Sequence, residues 1–268
     1  MTICVSIICE EENAIIVGAD RMITDHGIPI EFESSTTKYS QFWTDELGFI
    51  FASAGSALTP DRIDSKIKTD VEEYNSIMEI VEDTKDIYID MKRTKFEEEI
   101  LEQRGLTLDE FYQSDLRDSS IGRNWDQIYG EFNLSLDIIL AGVDSSGPHT
   151  YRISDTDEYN GLVESFAGLG FDAVGTGASL ARDILTSRFS RDLTIDEGLY
   201  VMYTALNNAS QAPGVGKNFD MTVIRANEAP KQIEQETITQ LEKIYYDNEE
   251  AVPIPDLAKD FQEKSSND

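Results

Sequence analysis

Basic residues are scarce in this chain of 268 residues. There are 22 lysines and arginines against 52 aspartates and glutamates, so the formal net charge at pH 7 is −30. A surface this acidic repels the phosphates of nucleic acids and the headgroups of anionic membranes. We therefore expect neither a nucleic-acid nor a membrane partner. The charge describes solubility and association, and it carries no information about the fold.

Cysteine and histidine are also rare, with two residues of each. Cys4 and Cys9 fall five residues apart on one predicted strand, so their side chains face opposite sides and cannot pair with each other. We interpret both as small buried hydrophobic residues in a reducing compartment. His26 and His149 stand in polar, turn-like sequence, and no Cys/His cluster has the spacing of metal ligands. We expect no metal and no cofactor.

Long hydrophobic runs are lacking as well. No segment of the sequence approaches the ~20 apolar residues that a membrane-spanning helix needs. The first residues have neither the basic region nor the long apolar region of a signal peptide. We therefore expect a cytoplasmic protein. Hydrophobic residues nevertheless make up 40% of the chain, which is enough for a well-filled core.

The first half of the sequence predicts strands followed by helices. Apolar, β-rich runs at 3–9 and 14–19 predict a hairpin that is buried on both faces. Residues 21–39 read as a loop, and 48–55 predict another strand. Residues 59 to about 131 then predict a helical layer inserted between strands.

Two signals punctuate this helical layer. We predict a break near Asp83–Asp86, and a capping box at Thr107–Glu110 that opens a further helix. The second half returns to strands and ends in helices. Its predicted strands are at 136–143, 149–154, 162–167 and 219–224, and its predicted helices are at 178–189 and 195–210. A second capping box at Thr194–Glu197 opens the last of these helices.

The elements therefore come in blocks rather than in strict strand–helix alternation, which argues against a doubly wound parallel sheet. Two sheets packed face to face, with a helical layer outside each, fit the pattern better, which makes the fold class α+β. We predict a main domain over residues 1–226 and an acidic extension over 227–268. The extension holds one amphipathic helix around 231–246, and disorder is predicted from 262 onward.

The residue behind Met1 suggests a nucleophile. Thr2 has a small side chain, so removal of Met1 by methionine aminopeptidase would expose it as the first residue. An N-terminal Thr carries a hydroxyl together with an α-amine whose reference pKa is about 7.7–8.0, and this pairing is one way to activate a weak nucleophile. Three further points support the proposal. Asp20 ends a strand, Lys38 lies beyond the next loop, and Gly55 ends another strand, where its N–H could stabilise an oxyanion.

Successive motifs in the chain resemble the landmarks of proteasome β subunits and of the related bacterial ring protease with an N-terminal Thr, both N-terminal-nucleophile hydrolases. The motifs are Thr2-Ile3-Cys4-Val5-Ser6-Ile7, Gly18-Ala19-Asp20, Thr37-Lys38-Tyr39, Ala52-Ser53-Ala54-Gly55, Leu140-Ala141-Gly142-Val143-Asp144, Val174-Gly175-Thr176-Gly177-Ala178 and Asp220-Met221-Thr222-Val223-Ile224. The resemblance runs from residue 2 to about 225. It is strongest to single-gene proteasome-like proteins of prokaryotes, which share the start and the stretch 212–217.

This resemblance implies a four-layer αββα sandwich and threonine peptidase chemistry. Thr2 would be the nucleophile, Lys38 would favour its ionisation, Asp20 would pair with Lys38, and the Gly55 N–H would bind the oxyanion. Thr176 stands where catalytic β subunits have Ser between two glycines, so the hydroxyl is kept. The resemblance also implies a peptide or unfolded-protein substrate, a homo-oligomer such as a ring, and an ATP-dependent unfoldase among the partners to be tested.

The chain departs from the family pattern before its last strand. Gapless counting places Ala212 and Val215 where catalytic β subunits have Asp and Ser, so Ser210, Asn208 or Lys217 would have to supply those hydrogen bonds. The helical insert between Gly55 and Asp144 is also roughly 20 residues longer than the corresponding segment of typical β subunits. Two alternatives to the peptidase therefore stay open, namely a non-catalytic structural or assembly subunit and a small-amide hydrolase of the same superfamily.

Overall fold

The computed structural model describes residues 2–9, 13–25, 30–34, 36–55, 60–113, 119–155, 162–226 and 228–250. Met1, His26 and the tail from 262, for which the sequence predicts disorder, lie outside the described residues. The chain divides into two compact units, Met1–Ile233 and Glu234–Asp268. The domain boundary at residue 226 stays a prediction.

The described elements are numbered in chain order. The strands are β1 (Ile3–Cys9), β2 (Ala14–Asp20), β3 (Met22–Asp25), β4 (Ile30–Glu33), β5 (Tyr39–Trp43), β6 (Gly48–Gly55), β7 (Leu136–Asp144), β8 (Gly147–Ile153), β9 (Val163–Ser165), β10 (Phe171–Gly175), β11 (Phe219–Arg225) and β12 (Lys231–Gln232). The helices are α1 (Pro60–Asp70), α2 (Ile77–Phe96), α3 (Leu108–Gln113), α4 (Ser120–Glu131), α5 (Ala178–Arg188), α6 (Ile195–Ala209) and α7 (Gln235–Glu250).

The two apolar runs at the start of the chain lie inside the first of two antiparallel sheets. Its strand order is β10-β1-β2-β11-β12, and every residue of β1 and β2 is buried. The second sheet has the order β5-β6-β7-β8-β9, while β3 and β4 form a separate hairpin. Because β1 and β2 are covered on both faces, they show continuous apolar sequence instead of the alternation of a half-exposed strand.

The two sheets pack face to face, and helices cover the outer face of each. Cys4, Val17, Ile50, Ile139 and Ile224 belong to the core between the sheets. Helices α1 and α2 bury their apolar faces against the second sheet, and α5 and α6 pack on the first. The predicted α+β, four-layer αββα sandwich is confirmed.

Helix α6 comes unusually close to the first sheet. A Cβ placed on Gly18 of β2 would lie 2.8 Å from Met202 Sδ and 2.9 Å from Leu206 Cδ1. A side chain at residue 18 would therefore require the Met202 and Leu206 side chains to move. The same helix begins with the predicted capping box, since Thr194 and Glu197 bond reciprocally to each other's backbone N–H.

The break predicted in the helical insert is wrong. Helix α2 continues without a break through Asp83–Asp86. The interruption lies earlier, where α1 ends in a 3₁₀ turn at Val71–Glu73 before α2 begins. Ser76 then caps α2 by accepting a hydrogen bond from the Glu79 N–H at 3.3 Å. One face of α2 stays buried across the predicted break, and this face holds Ile80, Val81, Thr84 and Tyr88. The burial of that face outweighs the weak helix propensity of the aspartates.

Five short strands were not predicted from the sequence, namely β3, β4, β5, β10 and β12. The hairpin β3–β4 and strand β5 lie within or next to the stretch 21–39 that reads as a loop. Strand β10 lies between the predicted elements at 162–167 and 178–189. These strands are short, so they give too few alternations for a pattern, and they form because a neighbouring strand supplies the hydrogen bonds.

Helix α7 forms within the second compact unit, where the sequence predicts an amphipathic helix at 231–246. In the first unit, residues Lys231–Gln232 still pair with β11 as strand β12. No helix within the described ranges combines the length and the hydropathy that a bilayer span needs.

Asp144 joins the second sheet to the N-terminus of helix α2. Its Oδ2 accepts a hydrogen bond from the Ile77 N–H at 2.9 Å, and its Oδ1 accepts two from Ser146. Burial disfavours the ionised form, but the hydrogen bonds from Ser146 and Ile77 outweigh it and hold the pKa of Asp144 below its ordinary value. Ionised Asp144 therefore stabilises the fold, and protonation in acid removes that contribution.

We expect Asp144→Ala to lower the free energy of unfolding by about 1–3 kcal/mol at pH 7, because the Ile77 N–H loses its buried acceptor. The pKa is lowered in the fold, so the difference from wild type should persist above about pH 4 and shrink as pH falls further. Denaturant unfolding at several pH values measures this. Asp86→Ala, on an exposed position of the same helix, should stay within about 0.5 kcal/mol of wild type. Equal losses in both variants would contradict the role of Asp144.

Candidate active site

Thr2 lies at the start of β1 with only 6% of its surface exposed. Its Oγ1 donates a hydrogen bond to Asp20 Oδ1 at 2.5 Å and accepts one from Lys38 Nζ at 2.6 Å. The register of β1 and β2, which pairs Cys4 with Ala19, brings Thr2 and Asp20 to the same end of the first sheet. Three residues that are far apart in sequence thus meet at one hydroxyl.

Asp20 is fully buried, with no exposed surface. Its Oδ1 accepts from the Thr2 hydroxyl, from Lys38 Nζ at 2.8 Å and from the Ile3 N–H at 3.0 Å. A carboxylate without contact to water is tolerated only when charge and hydrogen bonds compensate for the lost hydration. The ion pair with Lys38 and the N–H donor supply that compensation on this oxygen.

The other oxygen of Asp20 is held entirely by backbone groups. Oδ2 accepts from the Met22 N–H at 3.1 Å and from the Gly216 N–H at 2.8 Å. Sequence reasoning missed both donors, because every residue other than proline carries an N–H and the sequence does not show where it points. Together the two N–H donors restrict the orientation of the carboxylate plane.

Lys38 immediately precedes β5 of the second sheet, so its side chain spans from one sheet to the other. Its side chain is 12% exposed and its ammonium contacts Thr2 and Asp20 together. A cation bonded to a hydroxyl oxygen favours loss of the hydroxyl proton, and a carboxylate on the other side orients that proton. The cluster of Thr2, Asp20 and Lys38 can therefore polarise the Thr2 hydroxyl.

Gly55 and Gly175 lie beside this cluster in conformations that favour glycine. Gly55 has φ +124° and a Cβ there would lie 1.9 Å from the Ser135 carbonyl oxygen. Gly175 has φ +100°, and a Cβ there would lie 2.3 Å from the Thr2 carbonyl oxygen and 3.1 Å from Ala54 Cβ. The end of β10 therefore approaches the Thr2 carbonyl because Gly175 has no side chain, and Gly55 follows Ala54, which lies against Gly175.

Thr176 follows Gly175 and is exposed. The register of β1 and β10 pairs Ile3 with Gly175, so the next position places Thr2 opposite Thr176. The structure thus brings the sequence-predicted residues Gly55 and Thr176 to the same end of the sandwich as Thr2. It places Asp20 and Lys38 in direct contact with the Thr2 hydroxyl.

The residues predicted to substitute for the missing Asp and Ser lie elsewhere. Ser210 Oγ donates to the Asn207 carbonyl and Asn208 Nδ2 donates to the Leu180 carbonyl. Lys217 is exposed. The loop nevertheless reaches the cluster, since it carries the Gly216 N–H that bonds to Asp20.

An ion pair next to the cluster was also missed. Arg21 Nε donates to Asp220 Oδ2 at 2.8 Å and Arg21 Nη2 donates to Asp220 Oδ1 at 2.5 Å, so the contact is bidentate. This hydrogen-bonded contact with Asp220 raises the pKa of Arg21. Asp220 appears in the sequence as the first residue of the last strand motif, which gives no sign of a partner near residue 20.

A second group of Ser, His and Asp side chains lies at the turn between β7 and β8. His149 Nε2 contacts Ser146 Oγ at 2.8 Å and Asp144 Oδ1 at 3.1 Å, and Ser146 also donates to Asp144. A catalytic triad needs the acid and the hydroxyl on different ring nitrogens. Here both contact the same nitrogen, so we interpret this group as the closure of a turn.

Cys4 lies behind the cluster, with its Sγ 3.5 Å from the Ser53 carbonyl oxygen. Burial raises the pKa of the Cys4 thiol to about 12, with Lys38 opposing and Asp20 adding to the shift. Cys4 is therefore a protonated packing residue at neutral pH. Within the described ranges, no group of three or more His, Cys, Asp or Glu residues is placed to hold a metal ion.

The fold and the cluster together define a class of protein. The chain is an αββα sandwich with a hydroxyl residue at the start of the first strand, held by Asp20 and Lys38. Comparison with known proteins then narrows the class. Residues 126–224 match the family model described as proteasome subunit.

Curated relatives carry both alpha and beta names. Proteasome subunit alpha of Methanococcus maripaludis is 28% identical over 109 residues, which is 41% of this chain and 38% of that protein. Proteasome subunit beta of Methanosarcina barkeri is 28% identical over 108 residues, 40% of this chain and 48% of that protein. Proteasome subunit beta of Methanococcoides burtonii is 30% identical over 94 residues, 35% of this chain and 42% of that protein. The chain thus spans less than half the length of these relatives.

Among solved structures, a mutant form of Anbu from Hyphomicrobium sp. superposes with a TM-score of 0.62 and 14% identity, covering 92% of this chain and 94% of that one. This likeness shows the shared fold. The resemblance to the proteasome family predicted from the motifs is confirmed by the match over residues 126–224 and by the similarity to these relatives.

We expect Cys4 to resist alkylation in the folded protein. In a Cys9→Ala variant, where Cys4 is the remaining cysteine, iodoacetamide at neutral pH should react on the order of a thousandfold more slowly than after unfolding in denaturant, because so little thiolate exists. Mass spectrometry over time measures both rates. Similar rates before and after unfolding would show that Cys4 is accessible and ionised.

Proposed function

We propose that this protein is a proteasome-like threonine-type peptidase, with Thr2 as the nucleophile after removal of Met1. One observation carries the proposal. The Thr2 hydroxyl, almost completely buried, lies within hydrogen-bonding distance of both a carboxylate and an ammonium group. A weak nucleophile needs such an environment to attack a carbonyl near neutral pH.

In the proposed reaction the Thr2 Oγ1 attacks the carbonyl carbon of a peptide bond. The free α-amine of Thr2 accepts the hydroxyl proton, and Lys38 stabilises the negative charge on the oxygen as it develops. Asp20 holds Lys38 in place at 2.8 Å. The C–N bond then breaks, the leaving amine takes the proton, and an acyl-enzyme ester on Thr2 remains.

Water completes the cycle by attacking the ester. The same α-amine takes a proton from the water, the ester C–O bond breaks, and the amine returns that proton to the Thr2 oxygen, which releases the acid product and restores the Thr2 hydroxyl. In both steps the Gly55 N–H is the proposed donor to the oxyanion, supported by its place at the end of β6 near Thr2. Removal of one such donor typically costs about 2.7–4 kcal/mol of transition-state stabilisation.

The proposed substrates are peptides or unfolded protein segments in an extended form. We further propose that copies of the chain assemble into a homo-oligomer, such as a ring, and that an ATP-dependent unfoldase delivers substrates to it. These proposals rest on the proteasome-subunit match over residues 126–224 and on the names of the relatives. A cytoplasmic location is part of the same proposal.

A non-catalytic subunit of the same fold is the second candidate. Two observations favour it, the replacement of Asp and Ser by Ala212 and Val215 and the alpha as well as beta names among the relatives. In such a subunit the hydrogen bonds among Thr2, Asp20 and Lys38 would stabilise the fold and would have no catalytic role. The two experiments below separate this candidate from the peptidase.

We expect Thr2→Ala to lower peptide hydrolysis by at least about 10⁴-fold, because it removes the attacking oxygen and leaves the rest of the cleft in place. Thr2→Ser keeps the hydroxyl and should keep measurable turnover. Fluorogenic peptides and an unfolded protein, tested with the purified assembly, provide the measurement. Hydrolysis that is equal in wild type and Thr2→Ala would contradict the proposal.

We expect the mature protein from its native host to lack Met1. Intact-mass measurement should give the mass of the chain less one methionine residue, because a small second residue allows cleavage and the proposed base is the Thr2 amine. A mature chain that retains Met1 has an amide where the proposed base should be. That result would favour the non-catalytic subunit.

A further inference from the structure

Two buried bidentate Arg–Asp pairs lie in the described sandwich, and one of them adjoins the candidate active site. Arg21 and Asp220 form the first pair, with Asp220 only 2% exposed and the Arg21 side chain 29% exposed. Gln232 Nε2 donates to Asp220 Oδ1 as well, at 3.2 Å. A bidentate contact fixes the guanidinium plane relative to the carboxylate, so it sets orientation in addition to distance.

Arg21 is held by its backbone as firmly as by its side chain. Its N–H donates to the Asn218 carbonyl at 3.1 Å, and its carbonyl accepts from the Ser34 N–H at 2.8 Å. Arg21 stands between Asp20 and Met22 in the sequence. Its two neighbours in the sequence therefore supply the Asp20 carboxylate and the Met22 N–H that donates to Asp20 Oδ2.

Asp220 fixes the other segment that reaches Asp20. It follows Gly216 by four residues, at the start of β11. A Cβ on Gly216 would lie 3.0 Å from Met22 Cβ and 3.3 Å from Asp20 Oδ2. The segments that carry the Gly216 and Met22 N–H groups thus touch each other at the Asp20 carboxylate, and the pair of Arg21 and Asp220 joins the same two segments one step away.

We propose that Arg21, Asp220 and Gly216 are positioning residues for the reaction. The ion pair holds two chain segments together so that the N–H groups of Met22 and Gly216 fix Asp20 Oδ2, which leaves Oδ1 aimed at Thr2 and Lys38. This inference rests on the proposed peptidase function.

The geometry favours this role over a purely stabilising one. Asp20 Oδ2 receives both of its hydrogen bonds from the two joined segments. If the segments separate, the carboxylate loses the Gly216 N–H, is left with the Met22 N–H of its own segment on Oδ2, and can rotate away from Lys38. A shift of about 1 Å in a reacting group can lower a rate by roughly a hundredfold.

The other buried pair supplies a matched control. Arg152 Nε donates to Asp172 Oδ2 at 2.9 Å, Arg152 Nη2 contacts Asp172 Oδ1, and Asp172 is 1% exposed. Asp172 pairs with Ser6 in the register of β1 and β10, three residues along the strand from the pair of Ile3 and Gly175. It is a buried aspartate in a bidentate pair with arginine, like Asp220, but it does not join the two segments that carry the Met22 and Gly216 N–H groups.

The experiment compares Asp220→Asn with Asp172→Asn in the full chain. We expect Asp220→Asn to lower kcat for peptide hydrolysis by roughly ten- to a hundredfold with KM within about twofold of wild type, since Asp20 is displaced and no substrate contact is lost. Asp172→Asn should lower the unfolding midpoint and keep the wild-type kcat. If Asp220→Asn does not fold, Arg21→Lys keeps the charge and loses the bidentate contact, and the same kcat effect is expected.

Amide hydrogen exchange is the second readout and does not depend on activity. The N–H groups of Met22 and Gly216 should exchange at least about tenfold faster in Asp220→Asn, and at the wild-type rate in Asp172→Asn. An unchanged kcat in an active Asp220→Asn protein overturns the positioning role. If wild type hydrolyses no peptide, the proposed function fails by itself, and unchanged exchange at the two N–H groups then overturns the inference separately.

Discussion

The charge of Asp20, buried without contact to water, is the constraint on which the rest of the site depends. A buried carboxylate is tolerated only if donors surround it, and here five donors do so. They come from the start of β1, the turn into β3, the residue before β5 and the loop after α6. Four segments that are distant in sequence must therefore meet at one point, so the site and the fold depend on the same hydrogen bonds.

Close approach of the backbone makes this meeting possible. Gly175 allows the end of β10 to touch the Thr2 carbonyl, and Gly216 allows the loop after α6 to reach Asp20. A side chain at either position would occupy the space that the neighbouring backbone fills. The family pattern places Asp and Ser in the loop after α6, and this chain has Ala212 and Val215 there. The Gly216 N–H nonetheless supplies a polar contact from the same loop, and that contact is to Asp20.

The parts of the fold that could be predicted are those that depend on interactions between residues close in sequence. The unbroken apolar runs of β1 and β2 indicate a strand covered on both faces, and the capping boxes at Thr107 and Thr194 mark helix starts, because a side chain bonds to a backbone group three residues away. The predicted break at Asp83–Asp86 is wrong because one face of α2 is buried against the second sheet, and this burial stabilises the helix more than the aspartates destabilise it. Strand β10 was missed because its five residues become a strand only when β1 lies beside them.

The sequence by itself determined the class of fold, the residue at the head of the first strand, and the acid and the lysine that accompany it. Those follow from short-range patterns and from a resemblance carried by side chains. The tertiary structure alone decided that the second oxygen of Asp20 is held by backbone N–H groups and that Arg21 pairs with Asp220. Both features join segments about 200 residues apart in the sequence. Every residue other than proline has a backbone N–H, so only the folded structure shows which of these groups points at Asp20.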